Sequence, residues 1–199
     1  MLEEFKKYLS KYVEIPPEEF SMLEPLLEIR NYDKKVKVID LGDEEIYLNY
    51  IVRGLVRKFF YKRGEEMITQ IAKEGDLISS SVSFLSGSPS TYVIDTIEPT
   101  TFISLSKHVV EELYRVDVKW QRAGRLITTD LLMQKEFWEL DRVKYTTKER
   151  FLRFLTSNGD LFQRVPQKYL ASYLNIQPET FSRLKHFLRN RFAENNISN

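Results

Sequence analysis

The stretch from residue 117 to 145, DVKWQRAGRLITTDLLMQKEFWELDRVKY, contains no proline and one glycine, Gly124. Its spacing predicts a single helix over 117–145. At 1.5 Å per residue such a helix is about 43 Å long, more than one small domain needs for its own packing. It therefore divides the chain into a front part, residues 1–116, and a back part, residues 146–199. Trp120, Gly124, Ile127, Leu131, Gln134, Trp138, Asp141 and Tyr145 recur at alternating four- and three-residue steps. Leu126, Met133, Phe137 and Leu140 form a second stripe. One stripe can pack on the preceding domain while the other meets a twin helix, as in a coiled coil. Trp120, Ile127, Leu131, Gln134 and Trp138 mark the expected seam, which Gln134 and Asp141 would weaken while fixing its register. The alternative is a helix buried within one chain.

Before the long helix the texture is β-rich. From 29 to 105 the runs KVKVIDLGD, YLNYIVRG, LVRKFFYKRG, MITQIAKEGD, TYVIDTIEP and TFISLS are separated by turn signals at Gly42-Asp43, Gly54, Gly64, Gly75-Asp76, Gly87 and Pro99. Short strands with evenly spaced turns predict an antiparallel barrel or sandwich. Helices are expected at 3–12 and 17–28, split by Pro16-Pro17, and a short one at 107–115.

After the long helix, Thr146 and Glu149 fit a capping box that opens a new helix, and Asn158-Gly159 closes it. Residues 161–165 read as a short strand or an extended linker. The segment 164–189, RVPQKYLASYLNIQPETFSRLKHFLR, reads as two short helices. Leu170, Ala171 and Leu174 share a face of the first; Phe181, Leu184 and Leu188 share a face of the second. Asn175 can take a left-handed conformation at the corner, and Pro178 suits a first helical position. This is a helix-turn-helix pattern. The polar run FAENNISN after it reads as a frayed tail.

Charge sharpens the pattern. The chain has 199 residues and a formal net charge of +1. Between 142 and 192 lie eleven basic residues and three acidic ones, Glu149, Asp160 and Glu179, a net +8; residues 1–141 come to −6. A basic back behind an acidic front suggests that only the back meets a polyanion. There is no cysteine and only two histidines, His108 and His186. Cysteine-ligated zinc and iron–sulfur chemistry are excluded within the chain, a multi-histidine metal site is disfavoured, and no cofactor is predicted. No apolar run approaches the roughly 20 residues of a membrane span. The charged N-terminus lacks a signal-peptide core, so a cytoplasmic protein is expected. No nucleophile–base–orienter set or phosphate-binding glycine loop is present, so the chain does not read as an enzyme.

Barrel, long helix and C-terminal helix-turn-helix, in that order, resemble the cyclic-AMP receptor/FNR-type family of bacterial transcription regulators. The resemblance rests on LGDEEIYLNYIVRGLVRKFF and KEGDLISSSVSFLSGSPSTYVIDTIEPTTFISLS in the barrel, and on QKYLASYLNIQPETFSRLKHFL at the C-terminus. It implies an α+β chain: a cyclic-nucleotide-binding-like jelly-roll barrel with flanking helices over 1–116, a dimerisation helix over 117–145 and a DNA-binding domain over 146–199. It implies a homodimer on double-stranded DNA with a pseudo-palindromic site, and RNA polymerase and a small-molecule effector as further partners. The competing reading is a scaffolding dimer that kept the fold and lost DNA binding. The wing found after the reader helix in many relatives is expected to be truncated here.

The departures concern the effector. Where cyclic-nucleotide-binding relatives carry a glycine-glutamate pair, this sequence has Ser79-Ser80; where they carry arginine and serine or threonine, it has Ser90-Thr91. Neither Ser80 nor Ser90 can replace the lost charge, so cyclic AMP is not the expected ligand. Ser79, Ser80, Ser81, Ser90 and Thr91 either bond a different polar ligand or form a solvated loop. Haem is disfavoured, since His186 lies in the reader helix. In that helix the resemblance puts Glu179, Thr180 and Arg183 at base-contact positions, with Ser182 beside them. Arg183 can bond guanine O6 and N7, and Glu179 can accept from cytosine N4. Gln167, Lys168, Lys185 and Arg189 are the candidates for phosphate contact.

Overall fold

The structure, a computed structural model, describes residues 1–197, with side chains described through Phe187. Eight strands form two four-stranded antiparallel sheets. Strands β1 (Glu28–Tyr32), β8 (Thr100–Ser106), β3 (Tyr47–Arg53) and β6 (Leu77–Ile78) lie in that order in one; β2 (Lys37–Ile39), β7 (Val93–Thr96), β4 (Val56–Lys62) and β5 (Glu65–Ala72) make the other. Side chains alternate across a strand, so each sheet has two faces to bury. Ile39, Ile51, Val56, Ile78, Ile94 and Phe102 fill the space between the sheets. Gly54, at φ +104°, turns β3 into β4, and any Cβ there would lie 2.5 Å from the Pro99 carbonyl oxygen.

The outer face of the first sheet is covered by helices α1 (Leu2–Leu9), α2 (Pro17–Leu23), α4 (Lys107–Val116) and α5 (Val118–Lys144). Phe5, Tyr8 and Phe20 from the front helices meet Tyr50, Ile103 and Leu105 from the strands and Trp120, Ala123 and Ile127 from α5. This corrects the expected seam. Trp120 and Ile127 are buried in the core of their own chain, and Leu131 packs on the same core. Trp138 stacks on Tyr173 of the C-terminal region with ring centroids 5.6 Å apart, and Gln134 is exposed, donating to Asp130 at 3.2 Å. The sheet needed an apolar cover, and the Trp120, Ala123 and Ile127 face of α5 supplies it. The second stripe is left outside over its C-terminal part: Leu126 is half-buried, whereas Met133, Phe137 and Leu140 are exposed together with Leu132 and Val143.

Further expectations change, and the helix expected over 3–12 ends at Leu9. The helix expected over 17–28 stops at Leu23, a 3-10 turn comes next at Glu24–Leu26, and the chain is already in β1 by Glu28. Pro25 lacks an N–H and so cannot continue the i→i−4 ladder, and the chain turns extended at Leu27. Residues expected as strand or linker form α7 (Gly159–Arg164), because Leu161 and Val165 are four apart and both turn into the core. The capping box holds: Thr146 N–H donates to Glu149 at 2.8 Å at the head of α6 (Thr147–Ser157). The last helix, α9 (Pro178–Ile197), carries most of the stretch read as a frayed tail.

The outer face of the second sheet meets the C-terminal helices in one continuous core. Leu55, Phe59, Ile68, Ile71, Val93 and Ile97 pack with Phe151, Phe154, Leu161, Leu170, Leu174 and Phe181. Polar groups seal the join. Arg57 is buried, held by Asp95 at 2.7 and 2.8 Å and by Glu66, and lies between the rings of Phe59 and Tyr169. Burial opposes its charge, but the two carboxylates keep its pKa above the ordinary guanidinium value. Ser172 Oγ donates to the Glu66 carbonyl and accepts from Ile68 N–H. Arg164 donates to Glu74 and Glu98, and Lys73 pairs with Asp160.

Candidate nucleic-acid interface and effector pocket

Helix α8 (Gln167–Tyr173) and α9 build the interface. Leu170, Ala171, Leu174 and Phe181 are buried, so the two helices meet on their apolar faces. Phe181 is clamped by Phe151, edge-on at 5.2 Å, and by Phe162, stacked at 5.8 Å. The corner is made by Asn175 at φ +51°, with Ile176 N–H donating to the Ala171 carbonyl at 2.9 Å; Ile176 itself is buried. A left-handed residue there reverses the chain in few residues, and Asn tolerates it at low cost. Pro178 then opens α9.

That clamp decides which side chains of α9 face out. Glu179, Ser182, Arg183 and His186 are exposed, and Thr180 is half-buried. Arg183 donates to the Thr180 hydroxyl at 3.2 Å, which orients the guanidinium along the first turns of the helix. Gln167 and Lys168 are exposed at the start of α8. Gln167, Ser182, Lys185 and His186 line a surface notch of about 90 Å³ between the two helices. Lys185 is half-buried, its ammonium over the Phe162 ring at 5.7 Å, so part of its reach is taken up by packing. Arg189 lies outside the residues whose side chains are described, as does Leu188.

In the barrel the structure divides the five serine and threonine positions. Ser79, Ser80 and Ser90 are buried; Ser81 and Thr91 are exposed. Ser81 opens a short helix, α3 (Ser81–Ser86), and points away with Val82. Ser90 Oγ donates to Ser80 Oγ at 2.7 Å and accepts from Tyr92 N–H. The positions that depart from the cyclic-nucleotide pattern are thus neighbours in space.

Two residues that the sequence reading missed lie with them. Glu45 is buried, and its carboxylate accepts from Tyr47 N–H at 3.0 Å and Ser80 N–H at 3.3 Å. Burial raises its pKa, against the backbone donors and the cations of Arg30 and Lys58. Lys58 donates to the Ser79 carbonyl at 3.2 Å, and burial, with the Lys135 ammonium, pulls it down to about 8. Two buried polar atoms, Asn49 Nδ2 and Ser79 Oγ, have no partner among the described residues. Lys58 was legible in principle, because Val56, Lys58 and Phe60 share the face of β4 opposite Arg57 and Phe59. Glu45 was not, since GDEE reads as an exposed turn.

Among the described residues no helix is long and apolar enough to cross a membrane, and no group of three or more His, Asp or Glu is placed to hold a metal ion.

No protein-family model matches the chain, and no curated protein matches it in sequence. Solved structures do match. FixK2 from Bradyrhizobium japonicum is similar at a TM-score of 0.71 with 20% identity, covering 83% of this chain and 85% of its own. The c-di-GMP responsive global regulator CLP of Xanthomonas campestris is similar at 0.66 with 16% identity, covering 86% and 90%. The catabolite activator protein of Thermus thermophilus is similar at 0.57 with 20% identity, covering 92% and 87%. Jelly-roll barrel, long helix and C-terminal helix pair, in this order and over most of each chain, are the fold of the cyclic-AMP receptor/FNR-type regulators, and this chain has that fold.

Proposed function

We propose that the chain is a sequence-specific DNA-binding transcription regulator that acts as a homodimer on a pseudo-palindromic site. The observation that carries this is the reader face of α9. Glu179, Ser182 and Arg183 stand exposed on its first turns while Phe181, between them in sequence, is locked in the core. The first turns of such a helix enter the major groove, where Arg183 suits guanine and Glu179 suits cytosine. Gln167 and Lys168 flank them as phosphate contacts. The net +8 of the surrounding segment supplies the non-specific attraction.

The homodimer rests on the exposed stripe of α5. Met133 and Leu140 are seven residues apart with Phe137 between them, a coiled-coil interval. Two reader helices related by a two-fold axis would then address half-sites about 34 Å apart. This is a binding protein and not a catalyst, and it needs no cofactor. RNA polymerase is the partner through which such a regulator acts.

The barrel is read as a pocket that does not take cyclic AMP. A cyclic phosphate brought beside Ser80 and Ser90 would meet the Glu45 carboxylate, with no arginine at Ser90 to compensate. Asn49 Nδ2 and the Ser79 hydroxyl, buried without partners among the described residues, suit a small polar effector instead. Isothermal titration with cyclic AMP is expected to give no binding in the micromolar range, and binding in that range overturns this part.

Selection from a random duplex pool tests the whole. Enriched sites should show a two-fold repeat spaced by one DNA turn. Arg183→Ala should cost about 1–3 kcal/mol and relax preference at one base pair in each half-site. A uniform loss across all sequences would sink the base-reading role, and no enrichment at all would sink the function.

A further inference from the structure

A cavity of about 210 Å³ lies where α5, α6 and α8 meet, and neither the exposed reader side chains nor the serine cluster of the barrel line it. Its floor is aromatic. Trp138 stacks on Tyr173 at 5.6 Å, with the rings 29° from parallel. Its rim is cationic: Arg142 from α5, Arg150 and Arg153 from α6. Asp141 is the one carboxylate in the lining, and it pairs with Arg153 alone, at 3.5 Å. Three fixed positive charges thus face one negative charge.

The three guanidiniums are held before any ligand arrives. Arg142 lies over the Trp138 ring at 4.8 Å, and Arg153 over the Tyr145 ring at 4.2 Å. Arg150 is anchored by donating to the carbonyls of Tyr145 and Arg142, at 2.9 and 3.3 Å. Its Nε is buried and has no acceptor among the described residues. A buried N–H without a partner costs on the order of 1–3 kcal/mol. An oxyanion is the group that suits three such cations around one cavity, since guanidinium forks pair with phosphate and carboxylate oxygens. Ligand pockets for drug-sized molecules run roughly 300–1,000 Å³, so this smaller one takes a compact ligand.

We propose that this junction cavity binds a compact polyanionic metabolite, bearing phosphate or carboxylate groups, and that occupation adjusts the helix pair relative to α5. The three helices that line it are the long helix, the first helix of the C-terminal region and the first helix of the helix pair. A ligand that bridges Arg142 to Arg150 or Arg153 ties the first two together, and displacement of Tyr173 would reach the third. Binding itself is independent of the DNA-reading proposal; the effect on DNA rests on it.

The test uses the full chain titrated with pyrophosphate, citrate and inorganic phosphate in turn, at matched ionic strength. Heat on isothermal titration and tryptophan fluorescence are read together. At least one anion should bind one site per chain with a Kd of about 1 mM or tighter, and should change the fluorescence. The preference between pyrophosphate and citrate tells phosphate from carboxylate. Arg142→Gln, which removes no hydrogen bond that holds the fold, should weaken binding by roughly tenfold or more, and Arg142→Lys should recover only part of it. No saturable binding of any of the three overturns the site, as does binding that Arg142→Gln leaves unchanged or that sodium chloride reproduces. On a selected DNA site, the bound anion should alter affinity severalfold. Unchanged affinity ends the coupling, whereas a chain that binds the anion but no DNA refutes the DNA-reading proposal and leaves the site standing.

Discussion

The two halves of α5 are built from similar residues and do different work. From Val118 to Leu131 the helix turns Trp120, Ala123 and Ile127 into the core beneath the first sheet. From Leu132 to Lys144 it buries no residue fully, and Leu132, Met133, Phe137, Leu140 and Val143 all stand in solvent. Exposed large apolar residues scattered singly need no explanation, but a contiguous stripe of them does. The first half is a strut fixed by its own chain. The second is a surface whose composition fits a copy of itself.

The largest effect should come from the second half. Phe137→Glu with Leu140→Glu removes two apolar side chains from each copy, on the order of 6 kcal/mol of association at about 1.5 kcal/mol each. Sedimentation should show a monomer at micromolar concentration, with a melting curve that no longer depends on protein concentration. A variant that remains dimeric would mean that the exposed stripe is not the interface. The first half should behave in the opposite way. Trp120→Ala should cost about 3–5 kcal/mol of folding stability, as truncations of large buried aromatics do. Its denaturant midpoint should fall while dimer affinity, measured where the protein is folded, stays put.

The contact between the second half of α5 and the helix pair gives a smaller effect. Trp138→Ala loses its stacking on Tyr173, about 0.5–1.5 kcal/mol beyond its buried area. Dimerisation should persist, which would separate Trp138 from Phe137 although they are adjacent in sequence.

The smallest effect concerns the join between barrel and C-terminal helices. Glu74 is held down to about 2, chiefly by its hydrogen bonds from Arg164. A carboxylate depressed in the folded state contributes stability that is present above its ordinary value of 4.5 and lost as pH falls toward 2. The melting difference between the native chain and Glu74→Gln should therefore be present at neutral pH and shrink through that window. A difference that held constant with pH would show that Arg164 relies on Glu98 instead.

How much of the molecule is legible in its sequence depends on how local each signal is. The corner at Asn175, the proline that opens α9 and the Thr146–Glu149 box are set by residues within four positions of one another, and each is where the sequence puts it. The stripes of α5 were legible as stripes, but not which of them would be covered. That choice is made by the outer face of a sheet whose Tyr50 and Ile103 come from far along the chain. The serine cluster of the barrel was legible only in what it lacks. Ser80 and Ser90 announce two missing charges, whereas Glu45 reaches the same place from the loop before β3 with no local sign of it, and Lys58 shows only in the alternation of β4. The junction cavity was invisible for a similar reason. Arg142, Arg150 and Arg153 look like members of a basic run until the turn at Tyr145 folds them toward one another.

Arg57, wedged between Phe59 and Tyr169 and tied to two acids, has a consequence for how quickly this molecule could find a target. A reader on a loose tether samples many headings, and docking must freeze that freedom at each encounter. Here Arg57 fixes the heading when the chain folds. If α9 reads DNA as proposed, searching is, in each ligand state, the tumbling of one rigid object, with fewer false approaches and little ability to adapt to half-sites at the wrong spacing.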